Sequence, residues 1–555
     1  MKRMTALLLA VLMLTTALCG CRRGKKTEEG TMDMQEIIIA PDEDESIRAW
    51  FTNSYTKTDP DHPADTGVYA GTVYVTKRET ENAQIVIAAD EAKTGLSVTC
   101  SPLENKNGAR IEVQIIRQYY VTCLDTRYPD PIAPMNEQTE RFDLEAGKSQ
   151  AMFLQLRTSP GTAPGDYTGI VSVRQGDKIV KQRRLSCHVW DITLPETMTS
   201  EAVMGLGSDQ ITRFHGENRY KEYYDYLLDH HCNAYGLPYD ILDERADAYM
   251  SDPRVRSFCV PYSADDDKLR AYHEKLSSDD TWMQKAYFYP QDEPGTAQAL
   301  DEMAEKCDRI HRLCPGVRIV IPFYQNAQYN AEKDQIAFMR KYVDIWCPKT
   351  FCYTKEGDTA PGKRLLYSAE QAKKYPEFGK RMQKEAEGGD DVWWYVCWEP
   401  GMPYLNMYVD MQGYQNRLLF WQQKQYNVGG FLYWSCNYWP KVENPWTNMA
   451  TVGTDYQTGQ TWLSNEVFGD GSLLYPGSEV GVDGACGSCR LEAVRDGIEE
   501  FEMLTMLEQA AGREAVDKII ARVSTNIVEF TSDEDALAKA RIELGAALEA
   551  ALRGK

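Results

Sequence analysis

Apolar and polar positions change rhythm along this chain. From residue 35 to about 195 they alternate with a period of two. The strand-like runs cover 71–76, 84–87, 96–99, 111–121, 151–156, 167–173 and 179–192. Turn signals separate them: Asn107-Gly108, Ser159-Pro160-Gly161, Pro164-Gly165-Asp166 and Gln175-Gly176-Asp177. This spacing predicts an antiparallel β-sandwich over 35–196. After Pro195-Glu196 the rhythm shifts. Eight buried-strand runs, at 203–206, 234–237, 255–260, 286–289, 317–323, 343–346, 392–397 and 430–435, now alternate with helical stretches. In the helix after Gly295, Leu300, Met303, Cys307, Ile310 and Leu313 recur at steps of three and four. Alternating strands and helices imply a parallel sheet. Eight of them imply a closed, TIM-like (β/α)₈ barrel over 197–512. A long irregular stretch, 440–489, follows the eighth strand, and helical patterns return at 491–507, 514–530 and 533–552. The first of these is expected to complete the barrel. The others form a C-terminal helical appendage, 513–555. The charge runs at Glu499-Glu500 and Asp533-Glu534-Asp535 are expected on solvated faces.

The first 21 residues stand outside this pattern. Lys2 and Arg3 precede an apolar stretch, 7–18, and then Leu18-Cys19-Gly20-Cys21. The stretch is too short to cross a membrane. It resembles a bacterial lipobox, in which Cys21 is lipidated and becomes the mature N-terminus. Residues 22–34 are polar and read as a flexible tether. The expected location is the bacterial cell envelope, anchored to a membrane by lipid and exposed outside the cytoplasm.

Composition narrows the picture. The chain of 555 residues is 43% hydrophobic and 26% charged, which excludes wholesale disorder. A net charge of −22 leaves no basic excess to neutralise phosphates, so nucleic acid is not an expected partner. Outside the first 21 residues the cysteines number 13, so at least one thiol is free or pairs between chains. Cys486-Gly487-Ser488-Cys489 is the one CxxC; without a second pair nearby it favours a disulfide or two thiols over a metal. No phosphate-cradling loop, dinucleotide fingerprint or G-x-S-x-G is present, and no cofactor is expected. His230-His231 reads as a helix end, and His215 as a loop turn after the first strand.

Active sites of such barrels lie at the C-terminal ends of the strands. The fourth strand runs into Gln291-Asp292-Glu293-Pro294 and the fifth into Tyr324-Gln325-Asn326. The sixth leads to Tyr353. The seventh carries Tyr395 and ends in Trp398-Glu399-Pro400; the eighth runs through Trp434 to Asn437-Tyr438-Trp439. Aromatic platforms beside amides and carboxylates suit a sugar. Asp-Glu occurs six times elsewhere, always in polar or helical contexts. Only Asp292-Glu293 follows an apolar strand and precedes Pro294-Gly295. Neighbouring carboxylates at a partly dry strand end repel, so one keeps its proton while the other stays ionised, the division glycoside hydrolysis needs. The competing reading is an N-cap for the helix that begins near Gly295.

The Asp-Glu-Pro strand end, Gly430-Phe431-Leu432-Tyr433-Trp434, Asn437-Tyr438-Trp439, and the stretch from Gly469-Asp470-Gly471 through Arg490 to Phe501 resemble glycoside hydrolase family 123 and its barrel, labelled domain of unknown function 4091. Pro164 to Val171 is similar to the N-terminal domain of such proteins. The resemblance covers roughly residues 70 to 510. It implies an N-acetyl-β-galactosaminidase acting by substrate assistance. Glu293 would protonate the glycosidic oxygen and later deprotonate water. Asp292 would orient the 2-acetamido group, whose oxygen attacks the anomeric carbon, and stabilise the oxazolinium that forms. Tyr395, Trp398, Trp434, Asn437 and Tyr438 are the expected sugar contacts, and a glycan or glycoconjugate the expected partner. Ala485-Cys486 before Arg490 departs from the expected Pro/Ser loop.

Two other readings compete. Glu293 and Glu399, ending strands four and seven, match the acid/base and nucleophile of retaining barrel glycosidases, although Asp292 stands where such enzymes usually have Asn. Alternatively, the barrel is a surface glycan-binding lipoprotein without turnover.

Overall fold

The computed structural model describes residues 43–554 except 325–333, 360–376, 440–441, 449 and 455–460. The signal segment, the tether, Cys21 and the Gln325-Asn326 pair therefore lie outside the described residues.

Two sheets face each other in the N-terminal region. One orders the strands Ile47–Thr52, Thr80–Ala89, Lys148–Arg157, Val113–Cys123 and Thr126–Pro134; the other orders Ala70–Lys77, Lys178–Thr193, Gly165–Gln175, Lys93–Cys100 and Phe142–Leu144. Ile85, Ile87, Met152 and Leu154 of the first meet Val73, Val171, Leu185 and Val189 of the second in a shared core. One pair departs from the antiparallel expectation: Ala70–Lys77 runs parallel to Lys178–Thr193, with Val73 opposite Cys187. Thr126–Pro134 gives no strand signal in the sequence, because three prolines interrupt it. It survives as an edge strand, where missing N–H donors cost little.

Eight parallel strands follow: β1 (Glu201–Met204), β2 (Asn233–Ala234), β3 (Phe258–Cys259), β4 (Ala286–Phe288), β5 (Arg318–Phe323), β6 (Ile345–Pro348), β7 (Asp391–Val396) and β8 (Gly430–Tyr433). Their spatial order is β2-β1-β8-β7-β6-β5-β4-β3. The sheet curls until its ends nearly meet. Cys259 N–H donates to the Tyr235 carbonyl at 2.7 Å across the remaining gap between β2 and β3. Each crossover carries helix, including α1 (Ala297–Leu313) after β4, α2 (Tyr414–Gln425) after β7 and α3 (Cys489–Ala511) after β8. The strands are buried on both faces, as a helix-covered parallel sheet requires. Val203, Tyr287, Val320, Ile345, Cys347, Trp393, Tyr395, Cys397 and Leu432 pack together in one cluster. Alternating neighbours such as Phe288, Ile321, Trp346, Trp394 and Phe431 join the other. The first set fills the barrel and the second meets the helices.

Two C-terminal expectations change. The pattern at 514–530 is helical only over α4 (Arg513–Ile520), and turns complete it. Glu499 and Glu500 are buried, not solvated. They lie on α3, which packs against α2, α4 and α5 (Glu534–Arg553) and is buried around most of its circumference. There Arg417 of α2 bonds Glu81 of the sandwich at 2.7 Å and Glu500 at 2.8 Å. Arg541 of α5 bonds Glu79 and Glu500. Helix α5 is thus tied to the sandwich, and its Gly545 lies where a Cβ would stand 2.2 Å from the Trp190 ring.

Candidate active site

The parity of the strands carries the site. Positions two residues beyond an inward-facing side chain also face inward. Counting on from Tyr287 gives Tyr289; from Cys347, Lys349; from Tyr395, Cys397 and Glu399. An isolated parallel bridge between Lys349 and Tyr395 extends the β6–β7 ladder past the strand ends.

Asp292 and Glu293 stand in the loop between β4 and α1 and take different partners. Glu293 has φ of +37°, a left-handed backbone that non-glycine residues seldom adopt. Asp292 Oδ1 accepts from the Tyr289 hydroxyl at 2.6 Å. The Tyr289 ring meets Tyr235 edge-on at 6.0 Å. Glu293 Oε1 accepts from the Tyr395 hydroxyl and from Lys349 Nζ, the latter at 3.1 Å. Neither carboxyl caps the next helix: Thr296 Oγ1 accepts from Ala299 N–H and caps α1 itself.

Lys349 is the centre of the cluster. Its side chain is 4% exposed, and Nζ also lies 3.7 Å from Glu399 Oε2. The ammonium sits 4.7 Å from the centre of the Tyr324 ring and 5.6 Å from that of Tyr395. Burial opposes its charge, but Cys397, Glu293 and Glu399 outweigh burial and raise its pKa above the ordinary lysine value. Burial also raises the Asp292 carboxyl, and repulsion from Glu293 adds to this; the Tyr289 hydrogen bond and Lys349 act against it. Burial first, then the Glu293 charge, raises the Tyr395 phenol well above its usual value, so it stays a donor.

The expected sugar contacts fall into different environments. Trp398, of opposite parity to its neighbours, is 57% exposed. Trp434 is half-buried, with its indole N–H 3.1 Å from both oxygens of Asp470 and its ring 4.7 Å from Tyr438. Tyr433 also donates to Asp470 at 3.1 Å, and burial pushes that carboxyl up to about 6. Asn437 is buried, and both ends of its amide bond the Gly207 backbone, at 2.8 and 2.9 Å. It locks the end of β8 to the segment after β1. Lys349, Tyr289 and Asp470 were not singled out from the sequence. Strand parity would have found the first two. Asp470 stands on the 440–489 excursion, where no period applies.

Elsewhere, His230 bonds Glu492 at 2.9 Å and the Tyr226 carbonyl at 2.8 Å, and His231 lies 3.2 Å from Glu499. His215 meets the Tyr223 hydroxyl at 3.0 Å. Cys486 and Cys489 are free thiols. Among the described residues no group of three or more His, Cys, Asp or Glu could hold a metal ion.

A nearly closed parallel barrel with carboxylates and aromatic side chains at the ends of strands four and seven is the constellation of a glycoside hydrolase. Sequence comparison agrees: residues 267–507 match the model of the glycoside hydrolase 123 catalytic domain. A family 123 glycoside hydrolase from Clostridium perfringens, whose structure is described in terms of glycolipid glycan hydrolysis, shares the fold. Its TM-score is 0.64 at 13% identity, over 92% of this chain and 98% of that one. A family 39 glycoside hydrolase from the gut symbiont Bacteroides cellulosilyticus WH2 aligns with a TM-score of 0.30 at 9% identity, over 77% and 81%. No curated protein sequence matches the chain.

Proposed function

We propose that the protein hydrolyses terminal β-linked N-acetylhexosamine, N-acetylgalactosamine by its family resemblance, through a substrate-assisted retaining mechanism. The supporting observation is that the neighbours Asp292 and Glu293, in the loop after β4, bond different groups, the first Tyr289, the second Tyr395 and Lys349. Two donors occupy Glu293 Oε1, leaving Oε2 to carry the transferable proton. In the first step that proton goes to the glycosidic oxygen as the bond to the anomeric carbon breaks. The substrate's acetamido oxygen forms the new bond to that carbon, and Asp292 accepts its N–H and balances the positive charge of the oxazolinium. In the second step Glu293 takes a proton from water, whose oxygen opens the ring. Two inversions retain the configuration, and no enzyme nucleophile is used. Trp398, Trp434 and Tyr438 supply stacking faces, Tyr395 holds the acid, and Asn437 braces the rim.

The test is a panel of nitrophenyl glycosides with and without the 2-acetamido group, with a thiazoline mimic of the intermediate as inhibitor. Turnover confined to acetamido substrates and blocked by the thiazoline is expected. Glu293→Gln should lower kcat/KM by about 10²–10⁴.

A second reading rests on Glu399 sharing Lys349 with Glu293, which makes Glu399 a candidate nucleophile. It predicts turnover of glycosides lacking the acetamido group, insensitive to the thiazoline. A protein that binds glycan without turnover would show neither activity. We further propose that Cys21 carries a lipid anchor holding the enzyme at the bacterial envelope. Cys21→Ser should move the protein from membrane to soluble fractions, and unchanged fractionation would refute the anchor.

A further inference from the structure

Lys349 donates to Glu293 but moves no proton in the chemistry outlined above, and its side chain is almost wholly buried. Its ammonium lies between two carboxylates that come from different strands, 3.1 Å from Glu293 and 3.7 Å from Glu399. Both carboxylates remain partly open, with side-chain exposures of 29% and 32%. Glu399 is held from behind: its carbonyl accepts from Cys397 N–H at 2.9 Å, and the Asn406 amide bonds the carbonyls of Cys397 and Pro400, each at 2.8 Å. The two carboxylates compete for one cation on a rigid frame.

We infer that Lys349 is a positioning residue that shares its charge between Glu293 and Glu399, and that Glu399 acts on the acid through Lys349 rather than as a nucleophile. This rests on the substrate-assisted reading and adds the regulation of its acid. A cation beside a carboxyl favours its ionised form, so Lys349 leaning on Glu293 leaves less of the protonated acid ready for the leaving oxygen. Glu399 draws on the same ammonium and opposes this. The groups facing the pair are Asp292 and Tyr289 from the end of β4, Tyr324 from β5, and Tyr395 and Cys397 from β7, with Asp470 beyond Cys397. Among the described residues, Lys349 is the one cation of this set. The upward shift of the lysine agrees with a charge held by anions on two sides.

The role predicts shifts of opposite sign. The basic limb of kcat/KM reports loss of the proton from the general acid in the free enzyme. Lys349→Met removes the cation, so the basic limb should move up by about 1 pH unit. Glu399→Gln removes the competing anion and leaves Lys349 to Glu293 alone, so the limb should move down by a smaller amount. Lys349→Arg keeps the charge and should leave the limb near that of the wild type, which separates electrostatics from packing. Thiazoline inhibition should persist in all three variants. Limbs that stay still, or move the same way in Lys349→Met and Glu399→Gln, would overturn the inference. So would a loss of about 10³-fold or more in Glu399→Gln without a limb shift, the signature of a nucleophile. Glu293→Gln separates this failure from that of the functional reading. If that variant retains full turnover, both fall; if it is inactive while the limbs do not diverge, only the role of Lys349 falls.

Discussion

At the scale of single residues, Asp292 and Glu293 show how neighbours in sequence become different in chemistry. The two stand in the loop after β4 (Ala286–Phe288), where Glu293 adopts a left-handed φ, and they take different partners. Asp292 then meets a neutral hydroxyl and Glu293 an ammonium. The consequence is testable at Tyr289. Asp292 must be ionised to balance the oxazolinium, so activity is present above its pKa and falls as pH drops through it. Burial holds that pKa above the ordinary 3.8, and the Tyr289 hydroxyl pulls it back by stabilising the anion. Tyr289→Phe removes the donor, so the acid limb of kcat/KM should move to higher pH with the basic limb unchanged. Measurement of the profile on a nitrophenyl 2-acetamido glycoside decides this. A limb that stays or moves down would mean that the hydroxyl does not face the ionised form. The pair itself was legible in the sequence, since it alone among the Asp-Glu dipeptides follows an apolar run. Its partner Lys349 was not singled out, because a single lysine after Trp346-Cys347-Pro348 gains meaning only once Cys347 is known to point inward.

At the scale of elements, the eight barrel strands were legible because buried parallel strands write themselves as short apolar runs between helices. Their ends were less so: the run at 255–260 yields a strand of only two residues, Phe258–Cys259, where the barrel closes most loosely. The proline-bearing edge strand Thr126–Pro134 was invisible for the opposite reason, since tertiary docking sustains it. Its Asp130 pairs with buried Arg490 at 2.7 Å, and Ile132 N–H donates to the Gly487 carbonyl at 3.1 Å. The excursion after β8 has no periodic pattern in the sequence, although its Gly469-Asp470-Gly471 stretch carries part of the family resemblance, and it braces the rim. Gly471 has φ of +72°, and a Cβ there would stand 2.4 Å from Trp434 Cζ2. Gly471→Ala should therefore displace the Trp434 ring from its place beside Asp470. If that ring is a sugar platform, KM should rise about two- to tenfold with a smaller change in kcat. An unchanged KM in a folded Gly471→Ala variant would remove Trp434 from the binding surface.

At the scale of the whole molecule, sandwich, barrel helices and C-terminal helix meet in one buried ionic layer. Its carboxylates include Glu79, Glu81, Glu492, Asp496, Glu499 and Glu500; its guanidiniums are Arg417, Arg495 and Arg541. The charge run Glu499-Glu500 on α3 reads as solvated in the sequence because its partners come from other elements: Thr80 N–H and His231 for Glu499, and Arg417, Trp421 and Arg541 for Glu500. Acid exceeds base in this layer, so its members cannot all ionise together. Burial opposes charge on Glu81, but Arg417 and Arg541 outweigh it and lower that carboxyl to about 2. Burial and the charges of Glu79 and Glu81 instead raise Glu499 well above its ordinary 4.5. The two shifts act on stability in opposite directions. Glu81 contributes stability above its unfolded pKa of 4.5, and this is lost as pH falls towards 2. Glu499 binds its proton more tightly in the folded state, so stability declines as pH rises from 4.5 towards its folded value. Glu499→Gln keeps the side chain's shape without a titrating proton. The difference in Tm between variant and wild type should therefore grow with pH, the variant gaining a few degrees between about pH 5 and pH 8. Calorimetry of both proteins across that range measures it. A difference that does not change with pH would mean that Glu499 is already ionised within the fold, and that the layer meets its excess of acid elsewhere.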